Sequence, residues 1–124
     1  MGTVQRFEDL QAWQEARKLA LRVYDISNQG SWVRDFGLRD QIRRAAVSVM
    51  SNIAEGFGRD TDKELHHFLS MAKGSAAEVA SQLYIASDLG YLNQDEFAGT
   101  YELVDKTSRL IGGLMRYLRS NPVK

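Results

Sequence analysis

Apolar residues recur at helical spacing along almost the whole chain, in four runs separated by short polar or glycine-bearing breaks. The run Gln41–Arg59 carries the widest apolar surface. At about 100° per residue, Leu38, Ile42, Ala45, Val49, Ile53 and Gly56 form one stripe, and Phe36, Val47, Met50 and Ala54 form a second beside it. Together they span roughly 200°, where a helix facing one core needs little more than about 100°. One side is therefore expected inside the subunit and the other against a second chain, which makes Phe36, Val47, Met50 and Ala54 the subunit-interface candidates. Gln41, Arg44, Ser48, Ser51, Glu55 and Arg59 form the remaining polar strip. Asn52, between that strip and the core stripe, is expected to hydrogen-bond across to a neighbouring helix and fix its register.

The first helix is expected to begin near Glu8 or Asp9, where acidic groups suit the positive end of the helix dipole, and to run to about Asn28. It has one apolar stripe of Leu10, Trp13, Ala20, Leu21 and Tyr24, and another of Ala12, Ala16, Leu19, Val23 and Ile26. Gln11, Glu15, Lys18, Arg22 and Asp25 then form its solvent face, with Glu15 and Lys18 at pairing distance. Asn28–Ser31 break the pattern in the manner of a helix ending on glycine, Gly30. The second helix starts near Arg34 or Asp35 and ends around Gly56–Gly58.

Thr61 with Glu64 reads as a capping box opening a third helix over about residues 62–89. Its stripe is Leu65, Phe68, Leu69, Ala72, Ala76, Val79, Leu83 and Ala86; Ser70, Gly74, Ala77 and Ser81 make its back small enough for a packing groove. Gly90 closes it, and Asn93 with Glu96 opens a fourth helix at about 94–120. There Phe97, Tyr101, Val104, Ile111, Met115 and Leu118 supply the core, interrupted by Ser108. Gly112–Gly113 costs about 1 kcal/mol per residue relative to alanine, so it should mark close packing or a local irregularity. Short loops between long helices make neighbours antiparallel. The expected architecture is all-α, an up-down-up-down four-helix bundle forming one domain over residues 1–124.

Charge narrows the partners. Sixteen basic and sixteen acidic residues balance, so the chain lacks the strong positive charge usual in nucleic-acid binders. Residues 1–59 hold nine Lys/Arg against seven Asp/Glu, and residues 60–124 hold the reverse. A phosphate-binding surface must therefore come from local clustering, or from copies of a patch brought together by assembly. With no cysteine there is no disulfide framework. With no signal-type run at the N-terminus and no stretch approaching a membrane span, the expectation is a cytoplasmic protein.

Catalytic and metal chemistry find little to work with. Glu64-x-x-His67 has the spacing of one half of a di-iron site, but the second pair is missing, and His66 and His67 point about 100° apart. Gly56-Phe57-Gly58 lacks the third glycine and preceding strand of a phosphate loop and reads as a helix end. No nucleophile or acid–base constellation can be assembled, so no cofactor and no enzymatic activity are expected. Basic clustering is the remaining lead. Arg34, Arg39, Arg43 and Arg44 lie within eleven residues, with Arg17, Lys18 and Arg22 as a looser group. Asp35, Asp40 and Glu55 could neutralise them as solvated surface charge. Arg39 and Arg43 project into the second apolar arc, where they would snorkel around a subunit contact or pair between chains. Aromatic platforms interleaved with these cations are not evident in the pattern. Arg39, Arg43, Arg44 and Arg59 are the nucleic-acid candidates.

The segments FEDLQAWQEA (7–16), FGLRDQIRRAAVSVMSNIAEGFGR (36–59) and KELHHFLSMAKGSAAEVASQLYIASDLGYL (63–92) resemble, in order and spacing, the 23S rRNA intervening-sequence protein family, also called the four-helix-bundle protein family. RRAAVSVMSNIAEG and AKGSAAE are the most specific parts; helix four agrees in pattern, and Ser31–Asp35 departs from the proline and glutamate often found there. The resemblance implies a bundle that assembles into a homopentameric ring, and an association with structured RNA, since members are encoded within 23S rRNA genes. A related fold serves as accessory to a reverse transcriptase. The family brings no established catalytic residues. The sequence therefore supports a non-enzymatic homo-oligomer whose ring gathers basic patches for structured RNA or DNA. The alternative is a protein-interaction scaffold for a polymerase-type partner.

Overall fold

The structure, a computed structural model, describes residues 4–120. Four helices account for most of them: α1 (Gln11–Ile26), α2 (Phe36–Phe57), α3 (Asp62–Asp88) and α4 (Gln94–Ser120). Each packs on its neighbour in sequence and α4 returns to α1, which closes an antiparallel up-down-up-down bundle. There is no strand among the described residues.

Local chemistry sets three of the four helix starts. Asp35 caps α2 by accepting from the Leu38 amide at 3.2 Å. Thr61 accepts from the Glu64 amide at 3.2 Å. Asn93 and Glu96 exchange both bonds of a capping box, at 2.8 and 2.9 Å. Gly90, with φ of 74°, ends α3 as expected; the Tyr91 amide reaches back to the Ala86 carbonyl at 2.9 Å.

The start of α1 differs from expectation. Phe7–Asp9 forms a separate 3-10 turn, and Leu10 is extended at φ −74°, ψ 127° before the helix begins at Gln11. Burial of the Leu10 side chain outweighs the dipole preference of Glu8 and Asp9. At its other end α1 stops at Ile26, two residues early, where the Ser27 hydroxyl turns back to the Tyr24 carbonyl. Gly30, with φ of 54°, opens a second 3-10 turn, Gly30–Arg34, which carries Trp32 to full burial.

The core follows the predicted stripes on α1, α2 and α3. Ala12, Ala16, Leu19, Val23 and Ile26 are all buried, as are Ile42, Ala45, Val49, Ile53 and Gly56. On α4, Val104, Ile111 and Leu118 are buried as expected, but the rest of the expected stripe is not. Thr100 and Thr107 are fully buried, whereas Phe97, Tyr101 and Met115 are half-buried and Ser108 is not the core's polar member. The threonine hydroxyls bond the carbonyls of Glu96 and Leu103 one turn back, each at 2.7 Å, so their methyl groups face the core without an unsatisfied donor.

Four other expectations change. Asn52 does not cross to a neighbouring helix: it donates to the Ser48 carbonyl and hydroxyl within α2. Ser48 makes the crossing, to Ser75 of α3 at 2.9 Å. The polar face of α1 is not all solvent. Glu15 is buried and bridges Lys18 at 2.9 Å and Lys106 of α4 at 3.5 Å, and Arg22 reaches Thr100 at 3.2 Å. The Gly112–Gly113 pair interrupts nothing, since α4 is continuous through it and only side-chain nitrogens stand near. The close approach lies at Gly56 instead, where a Cβ would stand 2.7 Å from the Phe68 Cβ of α3. Nor is the small strip of Ser70, Gly74, Ala77 and Ser81 used within the subunit; all four are exposed.

Candidate nucleic-acid and subunit-contact surfaces

The second arc of α2 is divided: Phe36 and Val47 face outward, while Met50 packs partly against the subunit's own core. Phe36 is 61% exposed and Val47 38%, while Met50 and Ala54 are half-buried. Leu21 and Tyr24 of α1, at 65% and 47%, are also left in the open. Tyr24, Asp40, Arg43, Arg44 and Val47 line one shallow hollow of about 360 Å³, which joins this arc to α1.

The four candidate arginines do not form one patch. Arg39 lies over the Phe36 ring at 4.7 Å, donates to the Val33 carbonyl at 2.9 Å and pairs with Asp40 at 3.2 Å. Arg43 lies over Tyr24 at 4.6 Å and donates to the Ser27 hydroxyl at 2.8 Å. Arg59 lies over Phe68 at 4.8 Å and pairs with Glu55 at 2.9 Å and more distantly with Glu64. It sits fifteen residues beyond Arg44, past the C-terminal end of α2. Arg44 is exposed and has no hydrogen bond or ion pair among the described residues.

Aromatic partners are thus present where the sequence pattern shows none, because Tyr24 comes from α1 and Phe68 from α3. Such contacts desolvate part of each guanidinium and hold it in place. They lower its freedom to reach a phosphate. The pairing of Arg43 with Tyr24 and Ser27 could not be read from α2 alone, since it depends on how α1 and α2 pack.

Electrostatic shifts mark three contacts that tie elements together. The Lys18 hydrogen bond, with help from Lys106 and against the effect of burial, holds the Glu15 carboxyl below its ordinary value. The Asn93 amide and then Gln29 do the same for Glu96. The hydrogen bond to Asp35, with burial, raises the Tyr91 phenol.

Glu64 accepts from the Thr61 hydroxyl and reaches toward Arg59, His66 stands 3.5 Å from Arg119, and exposed His67 meets Phe68 edge-on. Among the described residues no three His, Cys, Asp or Glu side chains cluster as a metal would require. No described helix is long and apolar enough to cross a membrane.

Fold and surface together define an all-α four-helix protein that leaves Leu21, Tyr24, Phe36 and Val47 exposed. The chain belongs to the 23S rRNA-intervening sequence protein family, whose model matches residues 8–113. It is similar in fold to a crystal structure of a protein of unknown function from the S23 ribosomal protein family of Bacteroides thetaiotaomicron, with a TM-score of 0.78. The two share 17% identity, over 85% of this chain and 98% of that one. No curated protein matches this chain.

Proposed function

We propose that this is a non-enzymatic, cytoplasmic, homo-oligomeric bundle protein, with a pentameric ring the favoured assembly, that associates with structured RNA or DNA. The observation that carries the reading is the outward arc of Leu21, Tyr24, Phe36 and Val47 with unpaired Arg44 at its rim. Exposed apolar residues that share a face favour contact with another chain. A ring would repeat Arg44 around its circumference and raise the local positive charge that one neutral subunit lacks. Arg39, Arg43 and Arg59 then act chiefly in holding the rings beneath them.

Light scattering with and without a structured RNA tests both parts. The expected result is a multiple of the 14.0 kDa subunit mass, reduced by Val47→Asp, and RNA binding that weakens steeply with salt and on Arg44→Glu. A monomer at all concentrations removes the assembly; salt-insensitive or absent RNA binding removes the nucleic-acid part.

A second reading, a scaffold for a polymerase-type protein, draws on a different observation. Tyr84, Ile85 and Leu89 of the α3 end are each more than half exposed, and Tyr84 packs edge-on to Phe97 and Tyr101. Retention of a reverse transcriptase or other polymerase after nuclease treatment, lost on Ile85→Asp, distinguishes this reading from the first.

A further inference from the structure

The glycine pair of α4 makes room for cations. A Cβ on Gly112 would stand 3.6 Å from Nη1 of Arg116 and 4.0 Å from Nζ of Lys73 on α3, and one on Gly113 would stand 3.8 Å from Nη2 of Arg116. The guanidinium therefore folds back along the glycine pair while the lysine reaches over from the neighbouring helix. Two positive groups converge on one point of the α3–α4 groove. Neither has a hydrogen bond or ion pair among the described residues, although the chain as a whole is neutral. One turn further along α4, Arg119 stands 3.5 Å from His66 of α3 and adds a third cation to the same groove.

Like charges so placed repel, and no ion pair among the described residues offsets it. An anion with oxygens on several sides would, because Arg offers a planar fork of donors and Lys a compact charge. We propose that Lys73 and Arg116, converging over Gly112, form a phosphate-binding site in the α3–α4 groove. Gly112 places no side chain between the two cations. The site is separate from Arg44 and the α2 arginines. Its occupant is either a backbone phosphate of a polynucleotide or a small free phosphate compound, and only the first rests on the nucleic-acid reading above.

The test compares the full chain with Lys73→Gln/Arg116→Gln and with Arg44→Gln, all checked for unchanged helix content. Binding to an RNA hairpin is measured across a salt series, and pyrophosphate is titrated while amide NMR signals are followed. Loss of about tenfold or more in RNA affinity at low salt in the double variant, with a log–log salt slope shallower by about one to two, supports the site with a polynucleotide occupant. RNA binding lost in Arg44→Gln but unchanged in the double variant overturns the site and leaves the α2 reading standing. If the native chain binds no RNA, that reading falls. Pyrophosphate shifts at Gly112 and Gly113 that vanish in the double variant then support the site with a small phosphate occupant, and their absence in the native chain overturns it.

Discussion

Tyr91 donates its phenolic hydroxyl to Oδ2 of Asp35 across 2.8 Å, joining residues 56 positions apart. The other oxygen of Asp35 caps α2. Trp32 stacks on the Tyr91 ring with centroids 5.7 Å apart. One carboxylate therefore starts a helix and also fastens the connection before it to the turn between α3 and α4. Tyr91→Phe keeps the stack and removes the bond, and should lower the melting temperature by a few degrees at neutral pH. Asp35→Ala loses the cap as well and should cost about 1–2 kcal/mol in denaturant melts. Because the phenol is raised, its contribution is complete below the ordinary tyrosine range and fades as pH climbs through the folded value. The difference between native and Tyr91→Phe should accordingly close in strong alkali.

Gly56 and Gly112 should respond oppositely to alanine. At Gly56 the new methyl meets the Phe68 Cβ and the Leu65 carbonyl, neither of which is a flexible end. Separation of α2 from α3 there should cost about 1–3 kcal/mol, more than the gain in helix propensity. At Gly112 the methyl meets only mobile cationic tips at ordinary contact distance, so Gly112→Ala should be neutral or stabilising by up to about 1 kcal/mol. Urea unfolding of the two variants decides the comparison.

Glu15 should give the bundle an acid-sensitive joint. Its carboxyl is held low chiefly by Lys18 and, across the helix boundary, by Lys106. A depressed carboxylate contributes stability that is fully present above its unfolded pKa of about 4.3 and is lost as pH falls through the lower folded value. Glu15→Gln should cost about 1 kcal/mol at neutral pH and flatten the decline below about pH 4. An equal acid slope in both proteins would assign the effect elsewhere, with Glu96 the next carboxylate to replace.

Thr107 should be replaceable by valine but not by alanine. Its hydroxyl is satisfied inside α4 and the Leu103 carbonyl it uses is already a helix acceptor, so Thr107→Val preserves shape and should change stability by less than about 0.5 kcal/mol. Thr107→Ala removes buried volume and should cost about 1–2 kcal/mol.

The same threonines show what a linear pattern hides. Thr100 and Thr107 count as polar in sequence, yet a one-turn backbone bond makes them core residues, and the apolar stripe read without them was turned toward Phe97 and Tyr101. Features held within a few residues were legible: Asp35, Thr61 with Glu64, and Asn93 with Glu96 mark the helix starts that the structure shows. The core face of α2 was legible too, because its spacing alone selects Ile42, Val49 and Ile53.

What depended on packing was not. Leu10 leaves the helix because the core is there to receive it, and Glu15 is buried because α4 brings Lys106 across. For the candidate surface, proximity in sequence suggested that Arg39, Arg43 and Arg44 act together. Instead Arg39 bonds Val33 of the 3-10 turn, Arg43 bonds Ser27 and covers Tyr24 of α1, and Arg44 has no hydrogen bond or ion pair among the described residues. Lys73 and Arg116 were missed for the same reason, being 43 positions apart and joined only by the space above a glycine.

The guanidinium lids on Phe36, Tyr24 and Phe68 bear on how the outer surface looks to a solute. A ring roofed by a cation offers one face fewer to a greasy dye and carries charge at its edge. The protein should therefore stain more weakly with such dyes than its roster of uncovered aromatics implies, and brighten when Arg43 is cut back to alanine.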